Sequence, residues 1–311
     1  MPNRMTLQDR LKLYWEFSRP FTLIAPALGM LSGGVTALGA GVPSEITGGL
    51  LLKIVFGTLM AAVLNGASNG INQIYDLDVD RVNKPKRPIP SGRLSTREAG
   101  WVTLVLYLVA ALFAALVNLQ CFVLASAAAF LTIIYSVPPI RTKRNAILAN
   151  LTIAIPRGLL LKVAGWSMTK DAFHGGEAWY IGAIFGLFLL GASTTKDFAD
   201  MKGDAAGGCI TLPVKYGARR AAWMIAPFFV LPFLLIPIGV MTGMMSGHPV
   251  FLYALGAILV GWGAYTVSLI LRDPDALATT ENHVSWRHMY MMMFFAQTGF
   301  MVSYLAKYFL R

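Results

Sequence analysis

Apolar residues fall in nine long runs, at about 20–40, 51–75, 101–117, 121–137, 146–166, 179–195, 221–241, 250–271 and 288–310. Each is close to the twenty residues that cross a bilayer. Short polar segments rich in Gly, Pro, Lys and Arg separate them. The pattern predicts an all-α, multi-pass membrane protein with about nine transmembrane helices. It leaves no room for a separate soluble domain, so 1–311 reads as one membrane domain. Residues 1–19 differ: Leu7, Leu11, Tyr14 and Trp15 share one side of a charged helix, and no short apolar core leads to a small-residue cleavage site. That segment reads as an interfacial N-terminal helix. Gly29 and Gly33, four apart in the first run, predict close helix packing.

Composition supports this reading. Of 311 residues 56% are hydrophobic and 13% charged, too apolar for an ordinary soluble domain of this size. An excess of 26 Lys and Arg over 15 Asp and Glu could suggest nucleic acid, but its distribution assigns it another role. Twenty of the 26 lie before the first run, in 81–97, 141–144 and 196–220, and at Arg272 and Arg287, all on one face if the runs alternate. Lys53, Lys170, Lys307 and Arg311 hold the other face. Basic residues collect on the cytoplasmic side, so the N-terminus and the segments 76–97 and 196–220, read as cap loops, are expected there. Arg157 and Lys162 lie inside the fifth run, where a charge points into a cavity, snorkels to an interface or forms a structural pair. Cys121 and Cys209 lack metal-ligand spacing, and neither a disulfide nor zinc is expected.

The chemistry concentrates in two acidic clusters. Asn72, Asp76 and Asp80 recur every four residues, which on a helix drifts only about 40° per step and lines one face over roughly 12 Å. Asp78 points elsewhere. Arg81, Lys84, Lys86, Arg87 and Arg93 follow in a proline-stiffened loop. The second cluster, KDFADMKGD, sets Asp197, Asp200 and Asp204 on one helical side. Six of the ten Asp residues sit in these two places, and Asp76 to Asp200 and Asp80 to Asp204 are both 124 residues apart, the mark of an internal repeat. One acidic cluster alone is adequately explained as the solvated end of a helix; two matched clusters are not. Carboxylate and amide oxygens without Cys or His suit a hard ion such as Mg²⁺, and basic residues beside them suit a metal-bridged diphosphate.

NxxxDxxxD at Asn72, Asp76 and Asp80, the NKPKRPIPSG run, YSxPP at Tyr135 to Pro139, and KDxxDxxGD with a following TLP together resemble the UbiA superfamily of intramembrane prenyltransferases. The match covers roughly residues 18–220. Within that family the Arg-Pro-Ile-Pro-Ser-Gly and YSxPP runs look most like chlorophyll synthases, homogentisate prenyltransferases and archaeal ether-lipid prenyltransferases. Asp200, where many chlorophyll synthases carry Ser, tilts away from the first. Members often carry Asp where this chain has Gln73, which is read here as a packing residue or a supporting neighbour of the site.

The resemblance implies nine helices around a central cavity and Mg²⁺-dependent transfer of a prenyl group from an allylic prenyl diphosphate to a lipophilic or aromatic acceptor among membrane lipids. Asn72, Asp76 and Asp80 are then expected to hold one Mg²⁺ and Asp200 and Asp204 a second, with Asp197 as ligand or support. Lys84, Arg87, Arg141 and Lys143 are expected around the diphosphate, with Arg19 and Tyr135 beside them. His174, His248, His283 and His288 are scattered and expected to take no part. An ion-coupled transporter is the alternative, since intramembrane carboxylates and repeats also mark carriers. Its acids, however, belong near mid-membrane and not beside basic loops at one interface.

Overall fold

The computed structural model describes residues 5–42, 44–280 and 283–310. Residues 1–4 of the expected interfacial segment, and Arg311, lie outside them. The described residues form sixteen α-helices and no strand. They are α1 Leu7–Ser18, α2 Ile24–Gly39, α3 Gly48–Tyr75, α4 Leu77–Asn83, α5 Thr96–Val117, α6 Leu119–Ser136, α7 Ala146–Ala154 and α8 Leu161–Ser167. The second half holds α9 Gly176–Ala192, α10 Thr194–Ala206, α11 Leu212–Tyr216, α12 Ala218–Ile225, α13 Leu231–Met241, α14 Pro249–Arg272, α15 Ala276–Thr279 and α16 Val284–Phe309.

Among the described residues eight stretches are long and apolar enough to cross a membrane. Four are composite: a 3-10 turn, Pro20–Leu23, leads into α2, a π-helical turn, Ile155–Leu160, joins α7 to α8, α9 runs on into α10, and a 3-10 turn, Ala226–Phe229, joins α12 to α13. Helix α16 stands ninth in order and packs on α2 and α14, but Arg287, His288, Gln297 and Lys307 keep it outside those eight. Outward faces are apolar, as lipid contact requires: Leu104, Leu108, Leu112 and Leu116 recur every four residues of α5 and are all exposed. Inside, Phe185, Phe188, Phe229, Phe233 and Phe300 pack in one core. A Cβ at Gly33 would lie 2.7 Å from the Gly165 Cα, so the small residue of α2 does permit close approach, to α8.

Two expectations change. Residues 196–206 are the helix α10 and not a loop, because α9 continues through Ser193 into it with intact hydrogen bonding. Helix α1 divides its apolar residues: Leu13 and Phe17 are buried against Ile89, Leu94 and Ala99, while Leu7, Leu11 and Trp15 are exposed. Tyr14 parts from that exposed face and donates to Glu98 Oε1 at 2.5 Å. Lys162 neither snorkels nor enters a site. It is buried, donates to Ser32 Oγ at 2.8 Å and Gln297 Oε1 at 2.5 Å, and lies over the Phe185 ring at 4.5 Å.

Candidate active site

The first acidic segment does not sit on one continuous helix. Helix α3 stops at Tyr75, Asp76 forms a joint (φ −104°, ψ 17°), and α4 resumes at Leu77. Backbone bonds Asp76 N–H to Asn72 C=O (2.9 Å) and Asp80 N–H to Asp76 C=O (2.7 Å) carry the four-residue register through the joint. Asp78 turns outward and pairs with Arg81 at 3.0 Å. Arg93 binds Glu16 at 2.6 Å, and Lys86 is exposed, so from the basic loop only Arg87 and Lys84 reach the acids.

The two Asp-rich segments meet because α10 offers glycine where α4 crosses it. A Cβ on Gly203 would lie 2.1 Å from Asn83 Nδ2, and one on Gly207 2.0 Å from Val79 Cγ2. With the helices this close, Lys84 Nζ stands 4.0 Å from Asp200 Oδ1 across the joint. Arg87 Nη1 donates to both oxygens of buried Asp80, at 2.6 and 2.7 Å. Lys143 ion-pairs with Asp76, with Arg141 Nη2 at 3.5 Å from the same carboxylate. Burial pulls the Lys143 ammonium down to about 8, and the Asp204 carboxylate acts the other way. Lys143 thus stands between a carboxylate of each segment. Its carbonyl accepts from Ile210 N–H at 3.1 Å, tying the chain after α10 to the same turn.

Arg141 and Arg19 share an unusual backbone. Both lie in the left-handed region, φ 40° and 58°, which costs a non-glycine residue energy and persists only where neighbours enforce it. For Arg19 the enforcement is visible. Gln73 Nε2 donates to Phe17 C=O (2.8 Å), Asn69 Nδ2 to Ser18 C=O (3.0 Å) and Thr22 Oγ1 (2.7 Å), and Asn65 Nδ2 to Thr22 C=O (3.0 Å). Three amides spaced four apart on α3 therefore clamp the turn that carries Arg19. Burial lowers the Arg19 guanidinium to about 10, still a cation, and its charge acts on Arg87, Arg157 and Asp80. The periodicity of Asn65, Asn69 and Gln73 was available in the sequence, but their partners, 43 to 56 residues away, were not.

Tyr135, in the last turn of α6, lies within electrostatic reach of Asp197 and Asp204. Lys196 shares the surroundings of Arg19, Asp200, Arg87 and Lys84. It stands four residues before Asp200, inside the KDxxD pattern, yet was not counted among the expected site residues. Among the described residues none of the four histidines pairs with the two Asp-rich segments: His174 lies 3.1 Å from Asp171, and His288 Nδ1 accepts from Trp262 Nε1 at 2.9 Å. Cys121 and Cys209 are buried free thiols.

Among the described residues no three Asp, Glu, His or Cys side chains converge on one point. Asp197 to Asp204 spans seven residues, about 10 Å of helix, so that set does not form a three-carboxylate cage. The donors fit Mg²⁺ differently. They are oxygens only, they come from two walls, and each wall is lined with cations that would meet an anion's remaining charge. That suits an ion which takes one or two carboxylates and completes its shell with phosphate and water.

Towards the membrane interior lies a narrow cleft of about 50 Å³, lined by Met60, Leu64, Leu124, Leu160 and Leu161 with Asn65, Ser68, Thr132 and Arg157. Asn65 and Ser68 stand on α3 two turns and one turn before Asn72, and Thr132 one turn before Tyr135, so the cleft lies along the same helices, inward of the acids. A second cleft of about 200 Å³, lined by Asn83, Lys84, Ala199, Asp200, Ala278 and Thr279, opens at the α4–α10 joint.

An all-helical membrane fold with paired Asp-rich segments above an apolar cleft defines the class. Residues 27–297 match the model of the UbiA prenyltransferase family, and the chain belongs to that family. It is 36% identical over 230 residues to a probable chloroplastic homogentisate phytyltransferase 2 of Oryza sativa subsp. japonica, covering 72% of this chain and 60% of that one. It is 30% identical over 270 residues to a digeranylgeranylglyceryl phosphate synthase of Thermococcus gammatolerans, covering 85% and 89%. The chain spans about 60% of the length of the plant relatives it matches. A solved UbiA homolog of Archaeoglobus fulgidus bound to GPP and Mg²⁺ has the same fold, with a TM-score of 0.73 at 19% identity over 95% of this chain and 99% of that one.

Proposed function

We propose that this protein transfers a prenyl group from an allylic prenyl diphosphate to a lipophilic or aromatic acceptor inside the membrane, releasing diphosphate. The observation that carries the reading is the α4–α10 joint. It sets two acidic walls and their Lys and Arg side chains over an apolar cleft. Ionising an allylic diphosphate leaves a delocalised carbocation and concentrates negative charge on the departing group, so stabilising that charge is the catalytic task.

Bound between the walls, Mg²⁺ would neutralise charge on the diphosphate oxygens. Asn72, Asp76 and Asp80 would hold one ion and Asp200 and Asp204 a second, with Asp197 in support. Lys84, Arg87, Arg141, Lys143 and Arg19 bind and orient the diphosphate. For that, Arg87 and Lys143 release the carboxylates they now hold and turn to the phosphate, exchanging one anionic partner for another. Tyr135 lines the way from the diphosphate to the cleft, whose leucine and methionine walls exclude water that would quench the cation. Helix α16 serves as the ninth span, and the excess of basic residues puts the N-terminus and the mouth of the site on the cytoplasmic face.

The deciding experiment measures diphosphate release from geranylgeranyl, phytyl, farnesyl and longer diphosphates by purified protein, with and without Mg²⁺. The acceptors are homogentisate, a tetrapyrrole acid and a prenylglyceryl phosphate. Mg²⁺-dependent release coupled to prenyl transfer is expected. No release from any donor overturns the proposal.

A further inference from the structure

The cleft beneath the acid pair contains one charge that the diphosphate site does not account for. Among the residues lining it, Arg157 alone is charged. Among the described residues it has no hydrogen-bonding or ion-pair partner, and its side chain is exposed to the space it lines. A guanidinium is costly at such depth and its five donors ask for an anion. The backbone is shaped to present it. Arg157 lies in the π-helical turn Ile155–Leu160, an irregularity common at functional sites. The back of that turn is pressed against α9: a Cβ on Gly158 would fall 2.5 Å from the Gly186 Cα and one on Gly182 2.9 Å from the Leu159 carbonyl oxygen. Gly158 towards α9 and Arg157 towards the cleft are two consequences of one bulge.

The diphosphate already has Lys84, Arg87, Arg141, Lys143 and Arg19 around it, all near the membrane face. Arg157 stands deeper, in a lining it shares with Pro26, Met60, Leu124 and Leu161 and with the polar Asn65, Ser68 and Thr132. Its charge still reaches Tyr135 and Arg19, which border the reacting end of the donor. We infer that Arg157 is the anchor for an oxyanion group on the acceptor, a carboxylate or a phosphate, and that it sets which acceptor this enzyme accepts. The guanidinium offers two parallel N–H groups to such a group. Asn65 and Ser68 supply further hydrogen-bonding groups in the same cleft. The acceptor is thereby held with its nucleophilic atom towards the diphosphate end, and neutral molecules of similar shape bind less well.

This rests on the prenyltransferase reading, and the test separates the two. Wild type, Arg157→Leu and Arg157→Lys are purified in detergent and checked for monodispersity. Each is assayed with geranylgeranyl diphosphate and Mg²⁺ against two matched pairs: homogentisate with its methyl ester, and a prenylglyceryl phosphate with the uncharged prenylglycerol. The wild type is expected to prefer one anionic member over its neutral partner by tenfold or more, and the preferred pair tells carboxylate from phosphate. Arg157→Leu raises the acceptor KM for that anion at least tenfold, leaves the neutral partner and the donor KM within about twofold, and erases the preference. Arg157→Lys, which keeps the charge without the fork, restores part of it.

A rise in donor KM with acceptor KM unchanged overturns the inference. So does equal loss for charged and neutral acceptors, or a wild type that transfers only to neutral ones. Each of these leaves diphosphate release, and the prenyltransferase reading, intact. A wild type that releases diphosphate from no donor removes both.

Discussion

Gly207→Ala tests the joint without touching a charged group. A methyl there would sit 2.0 Å from Val79 Cγ2, whereas two carbons rest at about 3.5–4.0 Å. Val79 is buried and β-branched, with little rotamer freedom to yield, so α4 and α10 must part by about 1.5–2 Å. Gly207 has φ −85°, a backbone alanine adopts freely, so the effect comes from contact and not from strain. Separation moves Asp76 and Asp80 away from Asp200 and Asp204, and a misplacement of about 1 Å commonly costs on the order of 100-fold in rate. We therefore expect kcat/KM for prenyl transfer to fall by about 100-fold, roughly 2.7 kcal/mol of transition-state stabilisation. Overpacking lowers stability by only about 1–3 kcal/mol. The assay is diphosphate release in detergent beside a thermal melt. Val79→Ala in the Gly207→Ala background removes the opposing methyl and is expected to recover activity to within about tenfold of wild type. Full activity in Gly207→Ala alone, or no recovery in the double variant, refutes the spacing argument.

Other outcomes follow from the same geometry. Asp76→Ala and Asp204→Ala are each expected to abolish transfer while the protein inserts and purifies normally; Mg²⁺-dependent turnover in either contradicts the assignment. Because Arg87, Lys143 and Lys84 already neutralise Asp80, Asp76 and Asp200, chelating divalent ions is expected to stop turnover with little change in melting temperature, and a large fall would show the ions to be structural. Asn69→Leu frees the Ser18 carbonyl and leaves Thr22 to Asn65 alone, loosening the turn that holds Arg19, so donor KM is expected to rise several-fold with kcat less affected; an unchanged donor KM removes Arg19 from the site. Lys162→Ala strips partners from Ser32 and Gln297 and an amine from the Phe185 face, at a cost of about 2 kcal/mol or more in stability. Substrate KM should not change, and a selective effect on it would return Lys162 to the site.

Much of this was legible in the residue pattern. Length and apolarity mark each span, and the four- and seven-residue spacing of the acids marks their helical faces, because both depend only on neighbouring residues. Pairings between distant segments were not legible. Arg87 meets Asp80 only because the proline-rich loop folds back, and Arg93, equally basic and six residues on, turns to Glu16 instead. Residues 196–206 read as a loop because polar composition was weighed above their helical spacing. The orientation of Arg157 hangs on a π-helical turn that no periodicity announces, and the fate of Lys162 on a serine and a glutamine 130 and 135 residues away.

The central claim is that the two Asp-rich segments grip one diphosphate at the mouth of the cleft. A structure with Mg²⁺ and geranylgeranyl thiolodiphosphate, a donor slow to ionise, tests it most directly. Diphosphate density between Asp76 and Asp80 on one side and Asp200 and Asp204 on the other, with the prenyl chain passing Ser68 and Asn65 into the cleft, is the predicted result. Diphosphate bound anywhere else, or carboxylates still paired with Arg87 and Lys143 and no ion between the walls, would contradict it.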